Sequence, residues 1–243
     1  MVLSAVRSAI GSFGGGLSNL EPHELAGTVM KEAVKRSGVD PKQVNYVTVG
    51  NCIPTDSRFA YIARVAAIQA GLPMESVAMT VNRLCSSALQ AVVTTAQNIL
   101  LGDCDFGIGG GVEVMSRGAY LSPAMRNGAR MGETKMFDSM VATLTDPFGV
   151  DHMGITAENL AVKWGITREQ QDALAAESHR RGNRRGPFQV ADPAYRPADE
   201  EGRSDLTHRR TREGKHHDGD AGQDEAGVQE RRQRHRRRRV GHQ

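Results

Sequence analysis

In the run Val81-Asn82-Arg83-Leu84-Cys85-Ser86-Ser87-Ala88-Leu89, a cysteine stands where strand-forming residues give way to helix-forming ones. A strand is expected over Val77–Val81, and a long helix from about Ser86 to Leu101, ended by Gly102. A thiol at that junction faces backbone N–H groups that lack intrahelical acceptors, and the positive end of the helix dipole. Both favour the thiolate, which is the nucleophilic form of cysteine. Ser86, Ser87 and Ala88 are small and leave room for a substrate. The same position also suits a buried structural cysteine. Cys52 and Cys104 have no comparable setting and are expected to be structural. Three cysteines without a C-x-x-C pair give neither a disulfide framework nor metal-ligand spacing, and they suit a reducing compartment.

The elements around Cys85 alternate. Val2 to Val6 reads as a short first strand. Glu21-Pro22 opens a helix with proline at its first position, and Ser37-Gly38 closes it. Tyr46 to Val49 is strand-like, Ile62 to Ile68 is helical up to Gly71, and Phe106 to Gly109 is strand-like again. This β-α-β-α order specifies an α/β domain with a largely buried sheet. Beyond Gly118 the pattern breaks into Gly, Met and Ser around Arg126 and Arg130, with no clear strand, as in an inserted loop region. That region ends in two helices, one over Thr156 to Trp164 and one after Thr167, where Thr167 and Gln170 form a capping box.

The N-terminus lacks a basic region followed by an apolar run, so no signal peptide is expected. No apolar stretch reads as long enough to span a bilayer, and the cytoplasm is the default compartment. Charge is unevenly spread. Residues 182–243 hold 15 Lys and Arg against 11 Asp and Glu, while residues 1–181 hold 16 against 17. The C-terminal stretch has only four aliphatic residues, Val190, Leu206, Val228 and Val240, too few to offset the entropy of ordering it. The expected division is therefore a folded part over 1–181, with its loop region over about 117–181, and a disordered basic tail over 182–243.

Four blocks in order resemble the thiolases. They are Arg7-Ser8-Ala9-Ile10-Gly11-Ser12-Phe13-Gly14-Gly15, the Cys85 run, Gly109-Gly110-Gly111-Val112-Glu113-Val114-Met115-Ser116, and His152-Met153-Gly154-Ile155-Thr156-Ala157-Glu158-Asn159. The family more often has Gly where Ser86 stands. The resemblance implies an α/β N-terminal half, a mixed sheet with helices on both faces and an inserted loop domain that helps bind coenzyme A. It implies acyl transfer through a cysteine thioester, as condensation of acyl-coenzyme A units or thiolysis of a 3-ketoacyl-coenzyme A. By matching position Cys85 is the nucleophile, Met153 lines the acyl pocket and His152 lies by the pantetheine. For His152 a satisfied loop histidine is an equally open reading. Coenzyme A thioesters are the implied substrates, with no covalently bound cofactor and no metal, and the intact family forms dimers or tetramers.

The family's chemistry also uses a histidine in G-H-P, an asparagine in N-E-A-F and a second cysteine in C-x-G-G-G. None of these motifs occurs in this sequence. The match fades after Arg181. Back-translation of Gly182 to Val190, read one base later, is compatible with A-I-A-A-G-R-F-K, a thiolase-like continuation. The Arg231 to Gln243 segment similarly permits a thiolase-like string, so the tail reads as out of frame. On this reading the chain as written has no overall activity. The alternatives are a non-catalytic fragment that associates with an intact thiolase, or a basic tail that contacts nucleic acid. Against the last, the tail has 14 Arg to one Lys and no aromatic in its basic run for base stacking.

Overall fold

The computed structural model describes residues 1–149 and 151–184. Three parallel strands form the main sheet: β1 (Val44–Gly50), β2 (Val77–Val81) and β3 (Phe106–Gly111), in the order β2-β1-β3. Gly50 lies opposite both Val81 and Gly111, so the three carboxyl ends finish level. Parallel neighbours need crossovers, and helices supply them. Helix α1 (Pro22–Ser37) precedes β1, α2 (Ile62–Gln69) joins β1 to β2, and α3 (Ser87–Leu101) joins β2 to β3.

Alternation along β1 sorts the two faces. Val47 and Val49 are buried in a cluster with Ala26, Met30 and Val34 of α1 and Ile62, Ala66 and Ala67 of α2. Thr48 points the other way, where Thr95 of α3 donates to its hydroxyl at 3.1 Å. On that face β3 presents only glycines, Gly107, Gly109 and Gly111. A Cβ on Gly109 would lie 2.7 Å from the Cα of Val92, and one on Gly111 would lie 2.7 Å from the Cβ of Ala88. One on Gly50 would lie 2.5 Å from the carbonyl carbon of Ser87. Only glycine lets α3 approach this closely. The glycine-rich end of β3 therefore sets the height of α3, and with it the place of the residues that enter α3.

Helix ends follow local chemistry. At α1, Glu21 and Glu24 form a reciprocal capping box, and Gly38 leaves the helix in the left-handed conformation at φ 73°. The loop region contains the two-residue antiparallel pair β4 (Tyr120–Leu121) and β5 (Phe137–Asp138), then α4 (Ser139–Thr143), α5 (Met153–Trp164) and α6 (Arg168–Arg184). The Thr167–Gln170 capping box is present in both directions, at 3.0 and 3.3 Å. No residue of α5 is buried.

Several expectations are corrected. Val2 to Val6 is not a strand. The segment is tied instead to α1, where the Ser4 hydroxyl donates to the Ala33 carbonyl at 2.7 Å. The loop region does contain strand pairing, although β4 and β5 are too short to carry a period-two signal. Leu84–Leu101 is long and apolar enough to cross a membrane by length and composition, contrary to the sequence reading. Ser87, Ala91 and Thr95 bury one side of that helix against the sheet. Helix α6 runs on to Arg184, and the expectations for the tail from residue 185 lie outside the described residues.

Candidate active site

The turn between β2 and α3 is built around Leu84, the single non-glycine residue with positive φ among those described, at φ 51°. A left-handed conformation costs a leucine about 1–2 kcal/mol. It persists because the surroundings hold both sides of the residue. The Leu84 N–H donates to Asn82 Oδ1 at 2.9 Å. Its carbonyl accepts from the Ser87 N–H at 3.0 Å and from the Ser87 hydroxyl at 2.7 Å. The same hydroxyl accepts from the Arg83 N–H at 2.8 Å. Ser87, buried at the first position of α3, therefore ties down the Asn82–Arg83 and Leu84–Cys85 peptides.

Cys85 follows directly and is exposed, one residue before the N-cap Ser86. Helix entry at this point was expected from the sequence. The turn places Cys85 at the N-terminal end of α3, toward the positive end of the helix dipole, which favours a thiolate.

Cys52 also meets this turn. It was expected to be structural, yet its thiol donates to the Leu84 carbonyl at 3.0 Å and lies 3.1 Å from the Ser87 hydroxyl. Behind it, Glu113 accepts from the N–H groups of Cys52 at 2.9 Å and Ile53 at 3.0 Å, and from the Asn51 amide at 2.9 Å. Asn51 also donates to the Val112 carbonyl at 3.0 Å. Burial pushes the Glu113 carboxyl above the usual range, while these hydrogen bonds pull it back. Burial likewise raises the Cys52 thiol; Ser87 opposes this, and the nearby Glu113 carboxylate adds to it. Cys104 is raised by burial, then by Asp103 and Asp105, and it lies away from this network. Glu113 stands two residues after the glycine run of β3, and the register of β3 on β1 brings it to the carboxyl end of β1.

The β2–α3 turn and its supports thus occupy the carboxyl ends of the parallel strands, where open α/β sheets bind ligands. The profile of the thiolase N-terminal domain matches residues 1–187. The chain belongs to the thiolase family. It is 52% identical over 183 residues to the beta-ketothiolase BktB of Cupriavidus necator, covering 75% of this chain and 46% of that protein. It is 46% identical over 181 residues to an acetyl-CoA acetyltransferase of Chromobacterium violaceum, again covering 46% of the relative. Among solved structures, human mitochondrial 3-ketoacyl-CoA thiolase in complex with CoA matches at a TM-score of 0.73 and 35% identity, over 76% of this chain and 48% of that one. The acetyl-CoA acetyltransferase of Bacillus anthracis matches at 0.71 and 42%, with the same coverage. The chain spans about half the length of the relatives it matches.

In this thiolase chain His152 caps α5, its Nδ1 accepting from the Gly154 N–H at 3.0 Å. The Met153 N–H donates to the Leu144 carbonyl at 2.8 Å, and its side chain is exposed. Among the described residues no hydrogen bond or ion pair joins His152 or Met153 to the Cys85 turn. A cavity of about 530 Å³ is lined by Phe13, Gly14, Ser18, Asn19, Ser116 and Arg117, none of which belongs to that turn.

Proposed function

We propose that this chain carries the acyl-accepting half of a thiolase active site, with Cys85 taking an acyl group from an acyl-coenzyme A. The observation that carries the reading is the exposed Cys85 on the strained Leu84 turn at the start of α3. In the step itself the Cys85 thiolate attacks the thioester carbonyl carbon. A new C–S bond forms and the bond to coenzyme A breaks. Coenzyme A leaves as a thiolate and takes up a proton, so the products are acyl-Cys85 and the free thiol. Coenzyme A thioesters are the proposed substrates, with Met153 toward the acyl group and His152 toward the pantetheine.

Resolution of the thioester calls for an acid/base that this sequence does not contain in any of the family's three further motifs. Loss of one such group costs about 10²–10⁴-fold. The proposed behaviour of the chain as written is therefore acylation without turnover. The exposed apolar residues of α3, Leu89, Val92, Val93 and Ile99, support association of that face with further thiolase chain or another copy.

The test is an acetoacetyl-coenzyme A thiolysis assay on three proteins. They are the chain as written, a chain in which A-I-A-A-G-R-F-K and its downstream frame follow Arg181, and that second chain with Cys85→Ala. Turnover is expected only from the second. Turnover from the chain as written, abolished by Cys85→Ala, would overturn the account of what resolution needs.

A further inference from the structure

We propose that Cys52 and Glu113 are positioning residues for Cys85, acting through the Leu84 carbonyl. The proposal rests on the reading of Cys85 as the nucleophile. It adds two residues that touch neither the nucleophilic sulfur nor the acyl group.

The geometry forms a chain of contacts from the end of β3 to the nucleophile. Glu113 holds the Cys52 and Ile53 peptides and the Asn51 amide, which fixes the backbone just past the end of β1. That backbone sets the Cys52 thiol 3.0 Å from the Leu84 carbonyl and 3.1 Å from the Ser87 hydroxyl. Cys52 and Ser87 thus converge on the Leu84 carbonyl, which takes the thiol and hydroxyl protons, while the Ser87 oxygen accepts from the Arg83 N–H. Cys52 is one of three donors to the Leu84 carbonyl, beside the Ser87 N–H and hydroxyl, and losing it loosens the hold on a left-handed conformation that leucine otherwise leaves. Release would rotate the Leu84–Cys85 peptide and swing Cys85 away from the N-terminus of α3. Burial keeps Cys52 a protonated donor instead of a rival nucleophile, so the two cysteines divide the labour.

The experiment measures the rate of iodoacetamide alkylation at Cys85 by peptide mass spectrometry, on the full chain and on Cys52→Val, Cys52→Ser and Glu113→Gln. Valine keeps the bulk of Cys52 and removes the donor, whereas serine keeps a donor. In Glu113→Gln an amide nitrogen replaces one acceptor opposite an N–H. Misplacement of a reacting group by about 1 Å can cost about 10²-fold, so a fall of roughly tenfold is expected in Cys52→Val and Glu113→Gln. Cys52→Ser should stay within about twofold of the parent, a rescue that loss of packing alone would not give. Cys104 is buried at 5% exposure, and its labelling gauges unfolding in the same sample.

A parent-like rate in folded Cys52→Val, or a slowed rate in folded Cys52→Ser, would overturn the role of Cys52. A parent-like rate in Glu113→Gln would overturn that of Glu113. If Cys104 labelling shows that Cys52→Val is unfolded, Cys52→Ser decides: a parent-like rate sustains the proposal and a slowed one overturns it. A parent Cys85 no faster than free cysteine would instead sink the nucleophile reading, and this proposal with it.

Discussion

Three cysteines in one chain occupy three environments, and their order of reaction follows. Cys85 is exposed, whereas burial raises both Cys52 and Cys104 and so reduces their thiolate fraction at neutral pH. Limited alkylation at pH 7 should mark Cys85 first, and early labelling of Cys104 would contradict the packing described. Glu113 gives a pH test. Its carboxyl is raised in the folded chain, so the folded state holds its proton more tightly than the unfolded one. Its contribution to stability is fully present below the unfolded carboxyl range and is lost as pH rises through the raised value. Urea unfolding between pH 4 and pH 7 should show this decline in the parent and not in Glu113→Gln; a parent curve that rises more steeply than the variant's would contradict it. At this scale the position of Cys85 between strand and helix was legible, because such a junction is local. Cys52 and Glu113 were not legible, since they meet the turn only through the register of three parallel strands, and sequence spacing does not encode that.

The long-range device that places α3 is the run of glycines in β3. Gly109→Ala would set a Cβ 2.7 Å from the Val92 Cα and 2.8 Å from the Ala91 carbonyl oxygen, both backbone atoms that cannot rotate away. It should cost about 1–3 kcal/mol in denaturant unfolding as α3 is pushed off the sheet. Gly110, one residue on, has nothing within 4 Å of a built Cβ, so Gly110→Ala should change stability by no more than about 0.5 kcal/mol. Equal effects at the two positions would refute close packing as the reason for the run. The elements were legible where period and punctuation agree: β2 spans the expected Val77–Val81, and α3 runs to Leu101 with Gly102 left-handed at φ 83°. Val2 to Val6 had the composition of a strand, but a strand also needs a neighbour to pair with, and here the Ser4 hydroxyl bonds the Ala33 carbonyl of α1 instead. Helix α5 begins at Met153, earlier than expected, because the His152 side chain caps it.

Across the whole molecule, one face of α3 buries Ser87, Ala91 and Thr95, while on the other Leu89 is 67% exposed and Leu100 85% exposed. A contiguous apolar face of this kind marks an interaction surface or a site of aggregation. The isolated chain should self-associate with rising concentration. Paired substitution of Leu89→Lys and Leu100→Lys should reduce light scattering without lowering the melting temperature, and unchanged scattering would place the sticky surface elsewhere. The thiolase ancestry of residues 1–187 was legible because four motifs lie in order. The central claim, that Cys85 accepts the acyl group, is tested most directly by incubating the chain with acetyl-coenzyme A and mapping acetyl thioesters by mass spectrometry. The account predicts one acetyl group, on Cys85, stable without turnover and absent from Cys85→Ala. Acetylation spread over Cys52 and Cys104, or none on Cys85, would contradict it.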